Sequence, residues 1–552
     1  MELMNPNEKY LEYTIGQVVE RLAREYPDKE MIKFVDIDRS WTWGGLDREA
    51  DRIAKGLMAL GIQRGDHVAV WATNVPEWIT MIFATAKIGA VLVTVNTNYK
   101  KFEMEYLLKQ SDCVALIMIH GFKDSNYVDI IRSLCPHMDH GRLDPSDKFP
   151  YLKYVITIGA DTPEGMMNYR QLYQLGDTVS DRELAERKAS LSCYDVINIQ
   201  YTSGTTGFPK GVMLTHHGIL NNAYYIGQHM NYSEDDRICV SVPFFHCFGL
   251  VLAVLVALTH GCSMATFDHF RPISVLETLQ KEECTAVYGV PTMFFAVLNH
   301  PDFHKFRFPK LRSAIVGGSL CPRSLTLDMM GKMGITEIAN AFGQTEVSPV
   351  ATMTAIDDSL EKQTTTVGKA LPYVETKVVD PETGEDLPCG QMGEFCVRGY
   401  GVMAGYYHME ADTASAIDAD GWLHSGDLVM QQEDGYFVVT GRIKDMIIRG
   451  GENIYPKEIE EFLCRIPKIM DAQVIGVPDV EYGEVIMACI MLRNGEEMTE
   501  QEVKELVLHN MARHKVPSYV VFVDRYPMTA SGKVQKYKLQ EWAIEKLKGS
   551  SL

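Results

Sequence analysis

Hydrophobic positions in the first half of the chain alternate between helical spacing and short unbroken runs. The stretch "LDREADRIAKGLMALG" (residues 46–61) carries apolar residues at helical spacing, and "HVAVWAT" (67–73) after it is typical of a short buried strand. The same order recurs in "PEWITMIFATAKIG" (76–89) and "AVLVTVN" (90–96). Helices alternating with buried strands predict an α/β fold, in which helices cover largely parallel sheets.

The pattern changes near residue 443. Beyond it, "PKEIEEFLCRI" (456–466) predicts a helix, and "AQVIGV" (472–477) and "EVIMACIML" (484–492) predict strands. Thr499 and Glu502 have the spacing of a capping box before a further helix. We therefore predict a large N-terminal domain of helix-covered sheets, residues 1–443, and a small C-terminal α+β domain, residues 444–552.

Composition excludes several classes of protein. The chain has 552 residues, and its net charge of −20 disfavours general nucleic-acid binding, which needs a basic face. The 12 cysteines are scattered without a C-x-x-C pair, as expected of reduced thiols. The first residues lack the pattern of a signal peptide, and "FGLVLAVLVAL" (248–258) is too short to span a bilayer. We expect a cytoplasmic protein without a transmembrane segment.

The stretch "YTSGTTGFPKG" (201–211) is the first candidate for chemistry. It follows "VINIQ", which predicts a strand, and precedes "THHGILNNAYYIGQHM", which predicts a helix. A glycine-rich loop between a strand and a helix is typical of phosphate binding, because its N–H groups can face an anion. Ser203, Thr205 and Thr206 add hydroxyl donors and Lys210 adds a positive charge, although the pattern is not a Walker A loop.

This loop resembles the signature of the adenylate-forming superfamily, which comprises acyl-CoA synthetases, peptide-synthetase adenylation domains and luciferases. Four further motifs follow in the order of that superfamily: "AFGQTE" (341–346), "HSGD" (424–427), "GRIKDMIIRGGENIYPKEIE" (441–460) and "PMTASGKVQK" (527–536). The resemblance implies that a small carboxylic acid, ATP and coenzyme A are the substrates, with Mg²⁺ as cofactor. It implies no nucleic-acid partner and leaves homo-oligomerisation open.

The resemblance also assigns nucleotide-binding residues. They are Thr202, Ser203, Gly204, Thr205, Thr206, Lys210, Gly318, Ser319, Phe342, Gly343, Asp427 and Arg442. Thr345 is similar to a threonine that contacts the nucleotide phosphate, and Glu346 offers the hard oxygen that suits Mg²⁺. Outside these motifs, Glu346 would be interpreted as a solvated loop carboxylate, and Asp427 with Arg442 as a surface salt bridge. Within them, the pair is expected to bind the ribose.

Three elements near the C-terminus have roles that the resemblance alone implies. Lys533 is the lysine expected to neutralise charge during adenylation, which is electrostatic stabilisation rather than proton transfer. Lys444 falls at the hinge about which the small domain turns. Gly450 and Gly451 are expected to bind the pantetheine arm of coenzyme A, where a side chain would obstruct it.

The acyl pocket is expected in "PFFHCFG" (243–249) and "YGVPTMFF" (288–295). His246 is expected to act as a wall or gate; without the resemblance, a packed core histidine would be the better interpretation. Tyr288, Val290, Met293 and Phe294 supply apolar walls. The segment "FFHCFG" has no acidic residue to pair a substrate ammonium, so amino acids are disfavoured, because an unpaired buried ammonium is costly.

These features predict an ATP-dependent acid–CoA ligase that forms an acyl-adenylate and then a thioester, with a medium-chain fatty acid as substrate. The alternatives are an aryl-acid or bile-acid CoA ligase, and an acyl-AMP ligase that serves a carrier protein. A binding module without catalysis is a third alternative. The intact set of Thr345, Glu346, Asp427, Arg442 and Lys533 argues against it.

Overall fold

The computed structural model describes residues 3–4, 8–143, 148–202, 209–449, 452–479, 482–529 and 532–549. The chain divides into two compact units. One contains Met1–Glu375 and Val397–Leu423, and the other contains Thr376–Cys396 and His424–Leu552. The functional boundary at residue 443 stays a prediction, since spatial grouping does not locate a hinge.

The first unit contains a sheet of nine strands. In spatial order they are Arg39–Thr42, Glu30–Phe34, Ser263–Thr266, Arg237–Val240, Ala286–Gly289, Ser313–Gly317, Glu337–Gly343, Val350–Met353 and Lys369–Ala370. The six strands from Glu30–Phe34 to Glu337–Gly343 are parallel to one another. In a parallel sheet, ligands bind beyond the carboxyl ends of the strands, which here are Val240, Gly289, Gly317 and Gly343.

The second sheet of this unit has ten strands. They run Gly405–Tyr406, Lys210–Thr215, Val196–Thr202, Val91–Thr94, His67–Trp71, Cys113–Met118, Tyr154–Thr157, Arg142–Leu143 and Met138–Asp139, and Met167–Asn168 also pairs with Tyr154–Thr157. Its central strands are parallel and fully buried, as their unbroken apolar runs predict. A short hairpin pairs Gly121–Phe122 with Ser125–Asn126.

Helices cover these sheets. In the first unit they are Ile15–Glu25, Trp43–Ala59, Pro76–Ile88, Lys101–Gln110, Tyr127–Leu134, Gln171–Gly176, Asp181–Ala189, His216–His229, Cys247–Gly249, Leu250–Leu255, Val256–His260, Pro272–Lys281, Pro291–Leu298, Phe303–Lys305, Arg323–Asp328, Met329–Met333, Thr345–Val347, Leu360–Thr365 and Glu410–Ala416. Their ends follow local sequence, because Thr14 forms a capping box with Gln17 and Pro76 occupies the first turn of its helix.

The second unit is smaller. Most residues of a four-stranded sheet belong to this unit. Its strands, in spatial order, are Val374–Val379, Met392–Gly399, Leu423–Gln431 and Phe437–Arg442. A five-stranded sheet contains Glu452–Ile454, Ile447–Arg449, Gly483–Leu492, Ile469–Asp479 and Tyr519–Phe522. The helices of this unit are Ile443–Asp445, Pro456–Cys464, Glu500–Asn510, Arg513–Lys515 and Lys536–Gly549. The predicted capping box of Thr499 and Glu502 is present.

The predicted fold class, an α/β protein with a large N-terminal part and a small α+β C-terminal part, is confirmed. The apolar run "FGLVLAVLVAL" forms part of a buried helical segment that includes a π-helical stretch, Leu250–Leu255. Within the described residues, no helix is both long and apolar enough to cross a membrane.

One expectation from the sequence is wrong. The loop after Val196–Thr202 does not lead directly into a helix, because Lys210–Thr215 is a strand that pairs antiparallel with Val196–Thr202. The loop therefore joins two neighbouring strands, and the helix His216–His229 begins only after the second. The short apolar run in "KGVMLT", bounded by Gly211 and Thr215, is the signal for that strand.

Candidate active site

The described ends of the glycine-rich motif lie on two neighbouring strands of the first unit. Thr202 and Lys210 are direct partners in the strand pair that carries the loop. The Lys210 ammonium forms an ion pair with Asp412 and lies 4.9 Å from the centre of the Tyr406 ring. Of the other predicted residues of this loop, Ser203, Gly204, Thr205 and Thr206 lie outside the described residues, so their contacts with phosphate stay a prediction.

The "AFGQTE" motif turns sharply at the carboxyl end of the strand Glu337–Gly343. Phe342 is half-buried and Gly343 exposed, and Thr345–Val347 forms a single 3₁₀ turn in which Thr345 and Glu346 are buried. The Tyr406 hydroxyl donates a hydrogen bond to Glu346 Oε1 at 3.0 Å. Glu346 is therefore not the solvated loop carboxylate of the simpler interpretation, and its motif lies beside that of Lys210.

The "PFFHCFG" motif approaches the "AFGQTE" motif through Cys247. Its thiol lies beside Thr345 and Glu346, and burial raises its pKa. His246 precedes it and is half-buried, and its Nδ1 accepts a hydrogen bond from the Phe248 backbone N–H at 3.1 Å. A neutral His246 ring therefore carries its proton on Nε2. The ring caps a short helix and is not a fully packed core side chain.

Phe248 connects the histidine motif to the expected acyl pocket. Its ring stacks on Tyr288 with centroids 6.1 Å apart. A Cβ atom on Gly317 would lie 3.2 Å from the Phe248 ring, and one on Gly318 would lie 3.2 Å from Val290. The backbone at these two glycines thus approaches both predicted wall segments closely. Gly318 has a φ of +82°, which favours glycine, and Ser319 next to it is exposed.

Two other residues that we expected in the acyl pocket, Met293 and Phe294, are buried. Met293 is buried in the first turns of the helix Pro291–Leu298. Phe294 packs in the hydrophobic core that also contains Val287 and Val316. Because successive strand residues point to opposite faces, Val287 and Tyr288 face different sides of the sheet. Phe294 thus contributes to the core on the Val287 side.

The ribose candidates lie in the second unit. Asp427 and Arg442 are direct partners across the strands Leu423–Gln431 and Phe437–Arg442, with Arg442 Nε 2.7 Å from Asp427 Oδ1. Asp427 is only 5% exposed. A surface salt bridge is therefore the wrong description, because the carboxylate is buried and its geometry is set by the strand register.

Lys533 lies in the same unit, close to this pair. Its backbone N–H donates to Thr529 Oγ1 at 3.0 Å, and the Thr529 N–H donates to the Lys533 carbonyl at 2.7 Å. Repulsion from the Arg442 guanidinium, followed by desolvation, lowers the pKa of Lys533 to about 8. Since Lys533 keeps an exposed surface, we attribute the lower pKa mainly to the neighbouring charge.

Lys444 is exposed in the 3₁₀ turn Ile443–Asp445, directly after Arg442. Desolvation, and then Arg442, lowers its pKa. Arg442, Lys444 and Lys533 thus form a group of neighbouring cations, as expected of a site for a polyphosphate anion. Gly450 and Gly451 lie outside the described residues, so their part in coenzyme A binding stays a prediction.

Two supporting residues were missed from the sequence. Glu394 accepts hydrogen bonds from the Gly426 N–H at 2.9 Å and contacts His424 Nδ1 at 2.9 Å, and it thereby holds the turn before Asp427. Tyr406 links Lys210 to Glu346. Sequence spacing does not indicate the role of either residue, because their contacts join segments that are distant in sequence.

Sequence comparison identifies the family to which the chain belongs. The family described as AMP-binding enzyme matches residues 19–407, and its C-terminal domain matches residues 458–533. A protein of Bacillus subtilis (strain 168) that carries an acyl-CoA synthetase name, YngI, is 50% identical over 541 residues, which is 98% of either chain. The medium-chain acyl-CoA ligase ACSF2 of Danio rerio is 41% identical over 533 residues, 96% of this chain and 88% of that protein.

Solved structures give the same result. ATP-bound MatB from Rhodopseudomonas palustris superposes with a TM-score of 0.83 at 29% identity, covering 96% of this chain and 99% of its own. The anthranilate CoA ligase AuaEII in complex with anthranoyl-AMP has a TM-score of 0.86 at 25% identity, covering 100% of both chains. The family predicted from the five motifs is confirmed. The chain belongs to the AMP-binding, adenylate-forming enzymes and is an AMP-forming acid–CoA ligase of the acyl-CoA synthetase type.

Proposed function

We propose that this ligase activates a medium-chain fatty acid. The carboxylate of the acid attacks the α-phosphorus of ATP, pyrophosphate leaves, and an acyl-adenylate forms. The thiol of coenzyme A then attacks the acyl carbonyl and AMP leaves, which gives the acyl-CoA. The observation that carries the choice of acid is the apolar wall formed by the Phe248–Tyr288 stack, which contacts Gly317 and has no carboxylate in its motif.

In this proposal, the second unit supplies nucleotide recognition and charge. Asp427 accepts hydrogen bonds from the ribose hydroxyls, and Arg442 orients the Asp427 carboxylate through their 2.7 Å contact. The Lys533 ammonium stabilises the negative charge that develops on the phosphate during adenylation. The functional boundary lies at residues 443 and 444, about which the small domain rotates after adenylation and before thioester formation. The segment with Gly450 and Gly451 serves the thioester step.

The first unit supplies the phosphate and metal contacts. Thr202, Lys210 and Thr345 bind phosphate, and His246 forms a wall between the carboxylate and thiol sites. Glu346 fits Mg²⁺, because it is a hard oxygen ligand held in a buried turn by a hydrogen bond from Tyr406. When bound, Mg²⁺ neutralises part of the triphosphate charge.

The relatives named medium-chain acyl-CoA ligase support the chain length that we propose. A cytoplasmic location also fits, since all twelve cysteines are free thiols. The experiment is a series of unbranched acids from acetate to palmitate, with cinnamate, a bile acid and phenylalanine as controls. Each is assayed for thioester formation with ATP and coenzyme A, as kcat/KM.

Each methylene that the pocket buries is worth roughly 0.8 kcal/mol, so kcat/KM should rise roughly threefold to fourfold per methylene up to a medium-chain maximum. Phenylalanine should be a very poor substrate. A maximum at acetate, or a better rate with cinnamate or the bile acid, would contradict the fatty-acid proposal. Transfer of the acyl group only to a carrier protein would instead favour the acyl-AMP ligase alternative.

A substitution at Gly317 tests whether Phe248 lines the pocket. In Gly317→Ala, the new methyl group would press on Phe248 at 3.2 Å, so the preferred acid should become shorter while the affinity for ATP stays unchanged. Gly331→Ala is the matched control, because among the described residues nothing outside its own helix backbone and chain neighbours lies within 4 Å of the added Cβ. An unchanged chain-length profile in Gly317→Ala would place the acyl tail elsewhere.

A further inference from the structure

Tyr406 lies on the short edge strand Gly405–Tyr406, which pairs antiparallel with Lys210–Thr215. In this register Tyr406 is opposite Val212, so Lys210 is its diagonal neighbour on the same face of the sheet. That relationship brings the Lys210 ammonium to 4.9 Å from the centre of the Tyr406 ring. An aromatic face at this distance attracts the cation. The ring therefore supports the lysine of the glycine-rich motif.

The other end of the Tyr406 side chain reaches a different motif. Its hydroxyl donates to Glu346 Oε1 at 3.0 Å. The phenol O–H is the donor of this bond, and the carboxylate oxygen is its acceptor. A hydrogen bond to a charged carboxylate is stronger than one between neutral groups. The Tyr406 side chain thus contacts both the cation Lys210 and the anion Glu346.

Two hydrogen bonds, together with the ion pair of Lys210, hold this arrangement in place. The Tyr406 N–H donates to Thr413 Oγ1 at 2.9 Å, in the helix that also carries Asp412, the ion-pair partner of Lys210. The Met403 N–H donates to the Glu346 carbonyl at 2.9 Å. The segment 403–413 therefore fixes the backbone of both Tyr406 and Glu346, and little conformational freedom is left between them.

We propose that Tyr406 is a positioning residue for adenylation, which aims the Glu346 carboxylate at the metal ion of the metal–nucleotide complex and supports Lys210 for the triphosphate. This inference rests on the proposed function, because it takes Glu346 as the metal ligand. It assigns the two ends of one side chain to two separable tasks. The hydroxyl serves the metal, and the ring serves the lysine.

Two substitutions separate these tasks. Tyr406→Phe keeps the ring and removes the hydroxyl, whereas Tyr406→Leu removes both. Binding is measured without acid or coenzyme A, so that no turnover is needed. The readouts are Mn²⁺ electron paramagnetic resonance in the presence of ATP, and calorimetric titration of ATP with a chelator present.

Tyr406→Phe should weaken Mn²⁺·ATP binding by about tenfold, the effect expected when a hydrogen bond to a charged group is lost. Its affinity for metal-free ATP should change by less than about twofold, because Lys210 keeps its aromatic support. Tyr406→Leu should also lose roughly threefold in metal-free ATP binding. Circular dichroism and thermal unfolding establish that each variant is folded.

Tyr407→Phe is the matched control. Tyr407 is the next residue, and its hydroxyl donates to Asp112 Oδ2 at 3.0 Å. Equal Mn²⁺·ATP affinity in Tyr406→Phe and Tyr407→Phe would overturn the proposal. A failure of wild-type protein to bind Mn²⁺·ATP would instead contradict the proposed function, so the two failures are distinguishable.

Discussion

Arg442 Nε lies 2.7 Å from Asp427 Oδ1, and the two residues face each other across an antiparallel strand pair. A charged pair on adjacent strands is held by the sheet itself, so its orientation does not depend on flexible loops. The carboxylate is buried, which makes each hydrogen bond that it accepts stronger than the same bond in water. Such a carboxylate is held in position to accept hydrogen bonds from the two hydroxyls of a ribose.

Asp427→Asn should weaken ATP binding by roughly 10- to 100-fold, since charged hydrogen bonds to the ribose and the contact with Arg442 are lost together. Calorimetric titration with ATP measures this. Asp386→Asn is the control, because the Asp386 side chain forms an exposed ion pair with Lys377 at 2.9 Å. Similar ATP affinities in the two variants would remove Asp427 from the nucleotide site.

Lys533→Ala should lose acyl-adenylate formation by on the order of 10²-fold or more, because a positioned charge is removed from the developing transition state. The variant should still convert supplied acyl-adenylate and coenzyme A to thioester. Pyrophosphate release and thioester formation are followed separately. Lys538→Ala, at a nearby exposed lysine, should leave both reactions unchanged. Equal damage to both reactions in Lys533→Ala would contradict a role confined to adenylation.

The rate of adenylation should depend on pH through Lys533. Its pKa is lowered to about 8, so the ammonium is present below that pH and is lost as pH rises through it. We expect kcat/KM for ATP in the adenylation reaction to fall on the alkaline side of about pH 8, since this parameter reports ionisations of the free enzyme.

Variants identify the group that titrates. Lys533→Arg should abolish the alkaline fall, because a guanidinium keeps its proton. Arg442→Gln should move the fall to higher pH, because repulsion from Arg442 is the main cause of the lowered pKa. A profile that is identical in wild type and Lys533→Arg would assign the ionisation to another group.

Lys444→Pro tests the hinge. Proline fixes φ at this position and restricts the residue before it, so rotation about residues 443 and 444 should be hindered. Adenylation should be largely retained while thioester formation falls sharply. Lys444→Ala is the control, as it removes the charge and keeps backbone freedom. Wild-type rates for both reactions in Lys444→Pro would place the hinge elsewhere.

Gly249→Ala should destabilise the first unit. A Cβ atom at Gly249 would lie 2.1 Å from the Pro243 carbonyl oxygen, and the surrounding side chains are buried. Forced overpacking of this kind costs about 1–3 kcal/mol. A lower Tm in Gly249→Ala than in Gly331→Ala would be the expected result, because the added Cβ at Gly331 is not crowded by any other described part of the chain within 4 Å. Equal Tm values would mean that the loop before Gly249 relaxes without cost.

Short-range features were accessible from the sequence. The helix Trp43–Ala59 and the strands on either side of Pro76–Ile88 follow from hydrophobic spacing, because the period of a buried face is a local property. The Thr499–Glu502 capping box is likewise contained in four consecutive positions. The motif residues Thr345, Glu346, Asp427, Arg442 and Lys533 could be named through their resemblance to a family, although their neighbours could not.

The tertiary structure decided what surrounds those residues. A strand, not a helix, follows the glycine-rich loop, because "KGVMLT" gains its stability by pairing with Val196–Thr202, and local spacing does not encode that pairing. Tyr406 meets Glu346, 60 positions away in sequence, only because the chain between them folds back. The lowered pKa of Lys533 depends on Arg442, which is distant in sequence. Electrostatic energies fall off with distance in space, so the sequence named the charged groups and the fold determined how they act on one another.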